Sequence, residues 1–132
     1  ILALVSQRTT NLADLSIADI HSAVALVSPQ DPGNVGSVLR TMDAVGVKAL
    51  FLLDGGVDVY HPSVVRASMG TMFHLPIVTS TFDEFATWAK QNQFQLIGTS
   101  AHADMDYRAA KPSKPWALVL GSEQKSSLLS IN

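Results

Sequence analysis

The chain has 132 residues, of which 47% are hydrophobic and 15% charged, and its formal net charge is −2 at pH 7. This length suits one compact domain, and the composition excludes an intrinsically disordered chain. The absence of cysteine excludes disulfide scaffolds and thiolate metal sites, so we expect a protein of a reducing, cytoplasmic compartment. No apolar run reaches the ~20 residues that cross a bilayer, so we expect no membrane partner.

The first half of the chain predicts two buried strands joined by a helix. Residues 1–21 read as an N-terminal tail or linker, ahead of a domain spanning residues 22–132. The continuous apolar runs "AVALVSP" and "KALFLL" are typical of strands buried on both faces. Between them, "NVGSVLRTMDAVGV" predicts a helix that ends at Gly46. The apolar residues at helical spacing in this segment are Val35, Val38, Leu39, Met42 and Val45.

The second half continues the alternation of strands and helices. "HPSVVRASMG" predicts a short helix from Pro62 to Gly70, and "TFDEFATWAKQN" predicts a helix with Thr81 as N-cap and Glu84 completing a capping box. "HLPIVTS", "FQLIGTSA" and "WALVLGSE" predict strands. The aromatic residues of the last helix share one face, which favours a core role over base stacking. These residues are Phe82, Phe85 and Trp88.

Alternating strands and helices predict an α/β fold with a mainly parallel sheet and helices on both faces. In such sheets, ligands bind beyond the carboxyl ends of the strands. The loops expected there are "SPQDPGN", "LDGGVDVYH", "TSAHAD" and "GSEQKS".

The loop after the first strand leads into "DPGNVGSVLR", which combines a turn, a helix start and an arginine. Its composition predicts a tight turn in which Asn34 caps the helix. Arg40 follows six positions later, about 120° around the helix from Asn34. Locally, this is a capped helix with a surface arginine. The stretch lacks the glycine spacing of a dinucleotide fingerprint and the lysine of a P-loop.

Two further stretches hold candidate residues for binding or chemistry. In "LVLGSEQ", Gly121 ends a strand where a missing side chain lets a ligand approach the backbone, and Glu123 follows. In "HADMD", His102, Asp104 and Asp106 alternate as metal ligands could, but no other ligand completes a site, so a solvated loop and no metal are expected.

Three motifs in order carry a family resemblance. "DPGNVGSVLR", "RASMGTMFHLP" and "LVLGSE" together resemble the SpoU-type RNA ribose 2′-O-methyltransferases of the trefoil-knotted SPOUT superfamily, over about residues 24–125. The resemblance implies transfer of a methyl group from S-adenosylmethionine to a ribose 2′-hydroxyl of tRNA or rRNA. It also implies a homodimer and a deep C-terminal knot that holds the cofactor.

The resemblance also implies roles for individual residues. Asn34 and Arg40 match the first motif, where the arginine handles the substrate ribose and phosphate, and Glu123 matches the acidic residue that orients them. A guanidinium is too basic to be an ordinary base, so Arg40 would bind a phosphate and position the hydroxyl. The residues matched to cofactor binding are Thr99, Ser100, Leu120 and Gly121.

The end of the chain departs from the family pattern. After Glu123 it reads "QKSSLLSIN", which does not match the family's third motif or its closing helix. We therefore expect weak or absent cofactor binding by this chain. A non-catalytic RNA-binding or dimerisation module is the alternative. A generic nucleotide or phospho-acceptor domain would need a phosphate loop or an acidic pocket after the first strand, where only Asp31 is present.

Overall fold

The computed structural model describes residues 2–8, 10–99, 106–109 and 111–121. Within these ranges, five strands form one sheet in which every pairing is parallel, in the order β3-β2-β1-β5-β4. The strands are β1 Ser22–Val27, β2 Ala49–Leu53, β3 Ile77–Ser80, β4 Gln95–Gly98 and β5 Trp116–Gly121. The α-helices are α1 Pro32–Val45, α2 Pro62–Ala67 and α3 Phe82–Gln91. No helix in this part of the chain is long and apolar enough to span a bilayer.

The helices cover both faces of the sheet, as predicted. One core cluster joins alternate residues of β1 and β2 to α1 and α2, and the other joins the intervening residues to α3. From β1, the chain adds β2 and then β3 toward one edge of the sheet. It then crosses back to form β4 at the opposite edge. Because parallel crossovers are right-handed, the two directions place their helices on opposite faces. The predicted α/β class with a parallel sheet is confirmed.

The core on the α3 side is built around four aromatic rings. Phe51 of β2 lies 4.8 Å from Phe85 and 5.2 Å from Trp88, measured between ring centroids. Trp88 also lies 5.0 Å from the ring of Phe94. Phe85 is fully buried. The core role predicted for the aromatic face of α3 is therefore confirmed.

The ends of two predicted helices differ from expectation. Gly46 ends α1 in the left-handed conformation, with φ of 81°, as predicted. Val45, however, is 70% exposed and does not belong to the buried face of α1. The short helix α2 ends at Ala67 rather than at Gly70. Gly70, with φ of 84°, instead begins a 3-10 turn over Thr71–Phe73.

The close approach of α1 and α2 depends on Gly36. A Cβ atom at this position would lie 2.5 Å from Cβ of Ala67 and 2.9 Å from the carbonyl oxygen of Val64. Further along, Nε2 of His74 lies 3.0 Å from Oδ1 of Asp43. The segment from Ala67 to His74 therefore runs alongside α1.

The described part of the N-terminal segment wraps around the β3 edge of the sheet. The hydroxyl of Tyr60 donates a hydrogen bond to the carbonyl of Arg8 and accepts one from its N–H, both at 2.7 Å. Thr10 forms a parallel bridge with Val78. Beyond this edge, Leu12 and Leu15 pack against the core on the α3 side. The boundary between linker and domain at residue 21 stays a prediction.

Candidate functional site at the carboxyl edge of the sheet

The three central strands end at the same level. Val27 of β1 pairs with Leu53 of β2 on one side and with Gly121 of β5 on the other. Gly98, the last residue of β4, pairs with Val119. Since neighbouring strands lie about 4.8 Å apart, loops that are distant in the sequence meet at this edge.

The loops after β1 and β2 are fastened to each other. Ser28 donates its N–H to the carbonyl of Leu53 at 2.7 Å and its hydroxyl to the carbonyl of Asp54 at 3.1 Å. Val57 donates its N–H to the carbonyl of Pro29 at 3.0 Å. Gly56 has φ of 97°, and a Cβ there would overlap the carbonyl oxygen of Pro29. These contacts join the loop that leads into α1 to the loop that follows β2.

Two residues in these loops adopt the left-handed conformation without being glycine. Ser28 has φ of 48° and Asp54 has φ of 59°. Each such residue costs about 1 kcal/mol or more, and persists only where neighbouring contacts impose it. The carboxylate of Asp54 accepts a hydrogen bond from the N–H of Phe82 at 2.8 Å, which links this edge to the start of α3. Sequence reasoning missed both residues, and only the neighbouring "DGG" hinted at unusual backbone angles.

Asp31, not Asn34, caps α1. Oδ1 of Asp31 accepts hydrogen bonds from the N–H of Gly33 at 2.8 Å and from that of Asn34 at 3.2 Å. The predicted cap was wrong because Pro32 occupies the first helical position, which its fixed φ favours. Asn34 therefore lies inside the first turn, with an exposed side chain beside the carboxyl edge.

Arg40 lies on the exposed side of α1, away from the sheet. Six residues separate it from Asn34, or about 9 Å along the helix axis. Its side chain is exposed and makes no hydrogen bond or ion pair within the described residues. The structure thus places Asn34 at the edge and Arg40 further along the same helix.

The matched cofactor residues lie at the ends of β4 and β5. Thr99 is exposed and donates its N–H to the carbonyl of Val119 at 3.3 Å. Leu120 and Gly121 are half-buried, and Leu120 packs on the α1 side of the sheet. Without a side chain on Gly98 or Gly121, the ends of these two strands leave backbone groups open to a ligand. Ser100 and Glu123 lie outside the described residues.

The metal interpretation of "HADMD" gains no support from the described residues. Asp106 accepts hydrogen bonds from Arg108, with Nη2 3.0 Å from Oδ2 and Nε 3.1 Å from Oδ1. The guanidinium, followed by the N–H of the same residue, lowers the pKa of Asp106. Among the described residues, no group of three potential ligands could hold a metal ion. His102 and Asp104 lie outside those ranges.

Comparison with known proteins identifies the family of this domain. Residues 21–127 match the model of the SpoU rRNA methylase family. The chain is 28% identical over 113 residues to the Bacillus subtilis 23S rRNA (guanosine(2553)-2′-O)-methyltransferase RlmP, covering 86% of this chain and 46% of that protein. It is 30% identical over 129 residues to the Streptomyces viridochromogenes 23S rRNA (uridine(2479)-2′-O)-methyltransferase, covering 93% of this chain and 45% of that one.

Solved structures show the same similarity. The AdoMet-bound rRNA methyltransferase from Sinorhizobium meliloti superimposes with a TM-score of 0.82 at 34% identity, over 89% of this chain and 46% of that one. The SpoU methyltransferase AviRb from Streptomyces viridochromogenes, in complex with AdoMet, gives 0.74 at 33% identity, over 80% and 44%. The chain thus spans about half the length of the relatives it matches.

The capping assignment predicts unequal effects of two neighbouring substitutions on stability. Asp31→Ala removes both cap hydrogen bonds and should lower the free energy of unfolding by about 1 kcal/mol. Asn34→Ala should change it by less than about 0.5 kcal/mol, as for other exposed positions. Urea unfolding followed by circular dichroism measures both, and Asp31→Asn, which keeps an acceptor, is the control. A larger loss for Asn34→Ala than for Asp31→Ala would contradict the assignment.

Proposed function

The chain belongs to the SpoU rRNA methylase family, and on that premise we propose that it transfers a methyl group from S-adenosylmethionine to a ribose 2′-hydroxyl of rRNA or tRNA. The observation that carries the proposal is the family match over residues 21–127, together with the level ends of β1 and β5. This pairing sets the loop that leads to Asn34 beside Gly121. Two curated relatives are 23S rRNA methyltransferases, and others are named tRNA/rRNA methyltransferases, which supports RNA of either kind.

The residues at the ends of β4 and β5 fit the cofactor. S-adenosylmethionine, when bound, supplies a methyl group carried on a sulfonium. Gly121 would let the cofactor approach the backbone, and half-buried Leu120 would offer apolar surface to its adenine ring. Thr99, together with Ser100, would supply polar groups at the end of β4. Solved relatives with AdoMet bound support S-adenosylmethionine as the cofactor.

In this proposal, α1 and Glu123 handle the RNA. Arg40 binds a phosphate next to the target nucleotide through two parallel hydrogen bonds, since its guanidinium remains protonated and cannot act as an ordinary base. Asn34 and Glu123 orient the arginine and the ribose. Fixing the hydroxyl in line with the methyl group then supplies much of the rate.

We also propose that two copies of the chain pair through α1 and act on RNA in the cytoplasm. The exposed residues of α1 include the charged Arg40 and Asp43, and beside Arg40 the helix bears small side chains that allow close helix packing. These are Ser37, Thr41 and Ala44. Pairing would also bring Arg40 of each copy near the carboxyl edge of the other copy's sheet. The position of Arg40 along α1, away from the carboxyl edge of its own sheet, favours this arrangement.

Calorimetric titration with S-adenosylmethionine tests the cofactor site. We expect saturable binding. Gly121→Val should weaken it by about fivefold to 150-fold, because overpacking costs about 1–3 kcal/mol. Thr87→Val, on the exposed side of α3, is the control and should bind as the unmodified chain does. If the titration gives no heat although circular dichroism shows that the chain is folded, the chain has no usable cofactor site. That result would favour the non-catalytic alternative.

Arg40 should matter for methyl transfer and not for cofactor affinity. Arg40→Ala should lower transfer to RNA by about 10- to 100-fold, since a hydrogen bond to a charged group is worth about 1.5–3 kcal/mol. The transfer rate of Arg40→Lys should lie between those of Arg40→Ala and the unmodified chain, because an ammonium keeps the charge but cannot form the bidentate hydrogen bonds. Transfer of labelled methyl groups measures both, with Lys90→Ala as the control for lost charge. Transfer at the unmodified rate by Arg40→Ala would refute the assigned role.

Sedimentation tests pairing through α1. Ala44→Glu places a charge within the proposed contact and should shift the chain from a dimer to a monomer, because pairing would then remove a carboxylate from water. Gln91→Glu adds the same charge on α3 and should leave the dimer intact. A dimer that survives Ala44→Glu, or a monomer in the unmodified chain at micromolar concentration, would count against this interface.

A further inference from the structure

Asp54, the residue that follows β2, joins three separate parts of the carboxyl edge. Its N–H donates a hydrogen bond to the carbonyl of Ser80, the last residue of β3, at 3.1 Å. Its carbonyl accepts one from the hydroxyl of Ser28, after β1, at 3.1 Å. Its carboxylate accepts one from the N–H of Phe82, the first residue of α3, at 2.8 Å. One residue thus ties the loop after β1 to the end of β3 and to α3.

The backbone at Asp54 is strained, and the contacts around it impose its conformation. Its φ of 59° lies in the left-handed region, which aspartate adopts more readily than most residues but does not favour. The N–H of Phe82 has no acceptor within its own helix, so the carboxylate of Asp54 supplies one. Gly55 and Gly56 continue the left-handed path, with φ of 78° and 97°. Left-handed residues other than glycine are concentrated at functional sites, where the surrounding structure determines them.

The path from Asp54 to Gly56 sets the position of the loop after β1. A Cβ on Gly56 would overlap the carbonyl oxygen of Pro29, and the N–H of Val57 donates a hydrogen bond to that same oxygen at 3.0 Å. One residue before Pro29, the buried Ser28 donates its hydroxyl to the carbonyl of Asp54. A change in the path after β2 would therefore shift the two residues that begin the loop after β1.

That loop leads to the residue proposed to orient the ribose. Ser28 follows Val27, which pairs with Gly121 at the end of β5. Asp31, three residues after Ser28, caps α1, and Asn34 lies in the first turn of that helix. The placement of Ser28 therefore helps to set the position of Asn34 relative to the end of β5.

We propose that Asp54 is a positioning residue for methyl transfer. Its carboxylate holds the loop after β2 against α3, and that loop in turn holds the loop that leads to Asn34. Because a displacement of about 1 Å can cost about a hundredfold in rate, loss of this anchor slows transfer although Asp54 touches neither substrate. The inference rests on the proposed function, since it assigns Asp54 a part in that same reaction.

Variants of Asp54 separate the carboxylate from the backbone angle. Transfer of labelled methyl groups to transcripts of 23S rRNA and of tRNA gives kcat and KM for each variant. Asp54→Gly permits the left-handed φ but removes the acceptor, so it should lower kcat by about 10- to 100-fold. Asp54→Asn keeps an acceptor oxygen and tolerates the same φ, so its kcat should stay near that of the unmodified chain. The KM for RNA and the affinity for S-adenosylmethionine should not change, because ground-state binding is unaffected.

Thr81→Ala is the matched control. It removes another acceptor at the start of α3, since Oγ1 of Thr81 accepts a hydrogen bond from the N–H of Glu84 at 3.1 Å. Within the described part of the chain, this side chain makes no hydrogen bond to the loop after β2. Thr81→Ala should lower thermal stability and leave kcat unchanged. An equal fall in kcat in Thr81→Ala and Asp54→Gly would show that only the stability of α3 matters, and would overturn the positioning role.

Amide hydrogen exchange tests the coupling between the loops without RNA. In Asp54→Gly, the N–H of Phe82 should exchange faster, and so should that of Val57, whose acceptor lies in the loop after β1. Faster exchange at Phe82 alone would overturn the proposal, because the link would end at α3. Unchanged kcat in Asp54→Gly would also overturn it and leave the proposed function standing. No transfer to either RNA by the unmodified chain would overturn the proposed function, and this role with it.

Discussion

The parallel pairing of β1 with both β2 and β5 is the constraint on which the candidate site depends. It brings Val27, Leu53 and Gly121 to one level, although they lie in the first, middle and last parts of the described chain. Parallel strands point their carboxyl ends the same way, so each following loop emerges on one edge. Because β1 lies in the centre, its loop contacts the loop after β2 on one side, and its last residue, Val27, pairs with Gly121 of β5 on the other. A one-residue slip in either pairing would separate these loops and turn buried side chains to the opposite face.

Rigidity at this edge comes from backbone contacts more than from side-chain packing. Ser28 and Asp54 hold left-handed conformations that cost energy, and hydrogen bonds between the two loops impose them. Gly56 permits the close approach to Pro29 that no other residue would allow. The cap from Asp31 then directs α1 away from the edge. The direction of α1, and with it the position of Arg40, is set before any ligand is bound, so binding costs less ordering.

Two surfaces of different chemistry result from this arrangement. The carboxyl edge near Gly121 offers exposed backbone and half-buried apolar side chains, which suits a small cofactor held by few charges. Arg40, exposed on α1, makes no hydrogen bond or ion pair within the described residues, which suits contact with a phosphate. Asn34, in the first turn of α1, lies between them.

The sequence by itself determined the class of the fold, the core faces and the family. Buried parallel strands give continuous apolar runs and helices give a period of 3.6, so β1, β2 and the aromatic face of α3 could be read without coordinates. Only the tertiary structure decided which residue caps α1, since Asp31, Pro32 and Asn34 all suit a helix start and the backbone path chooses among them. The exposure of Val45, Met69 and Phe73 was likewise hidden, because helical spacing shows which residues share a face and not what covers it. The strained angles of Ser28 and Asp54 leave no mark in a pattern of residue types, because they arise from contacts between loops that meet only when the sheet is formed.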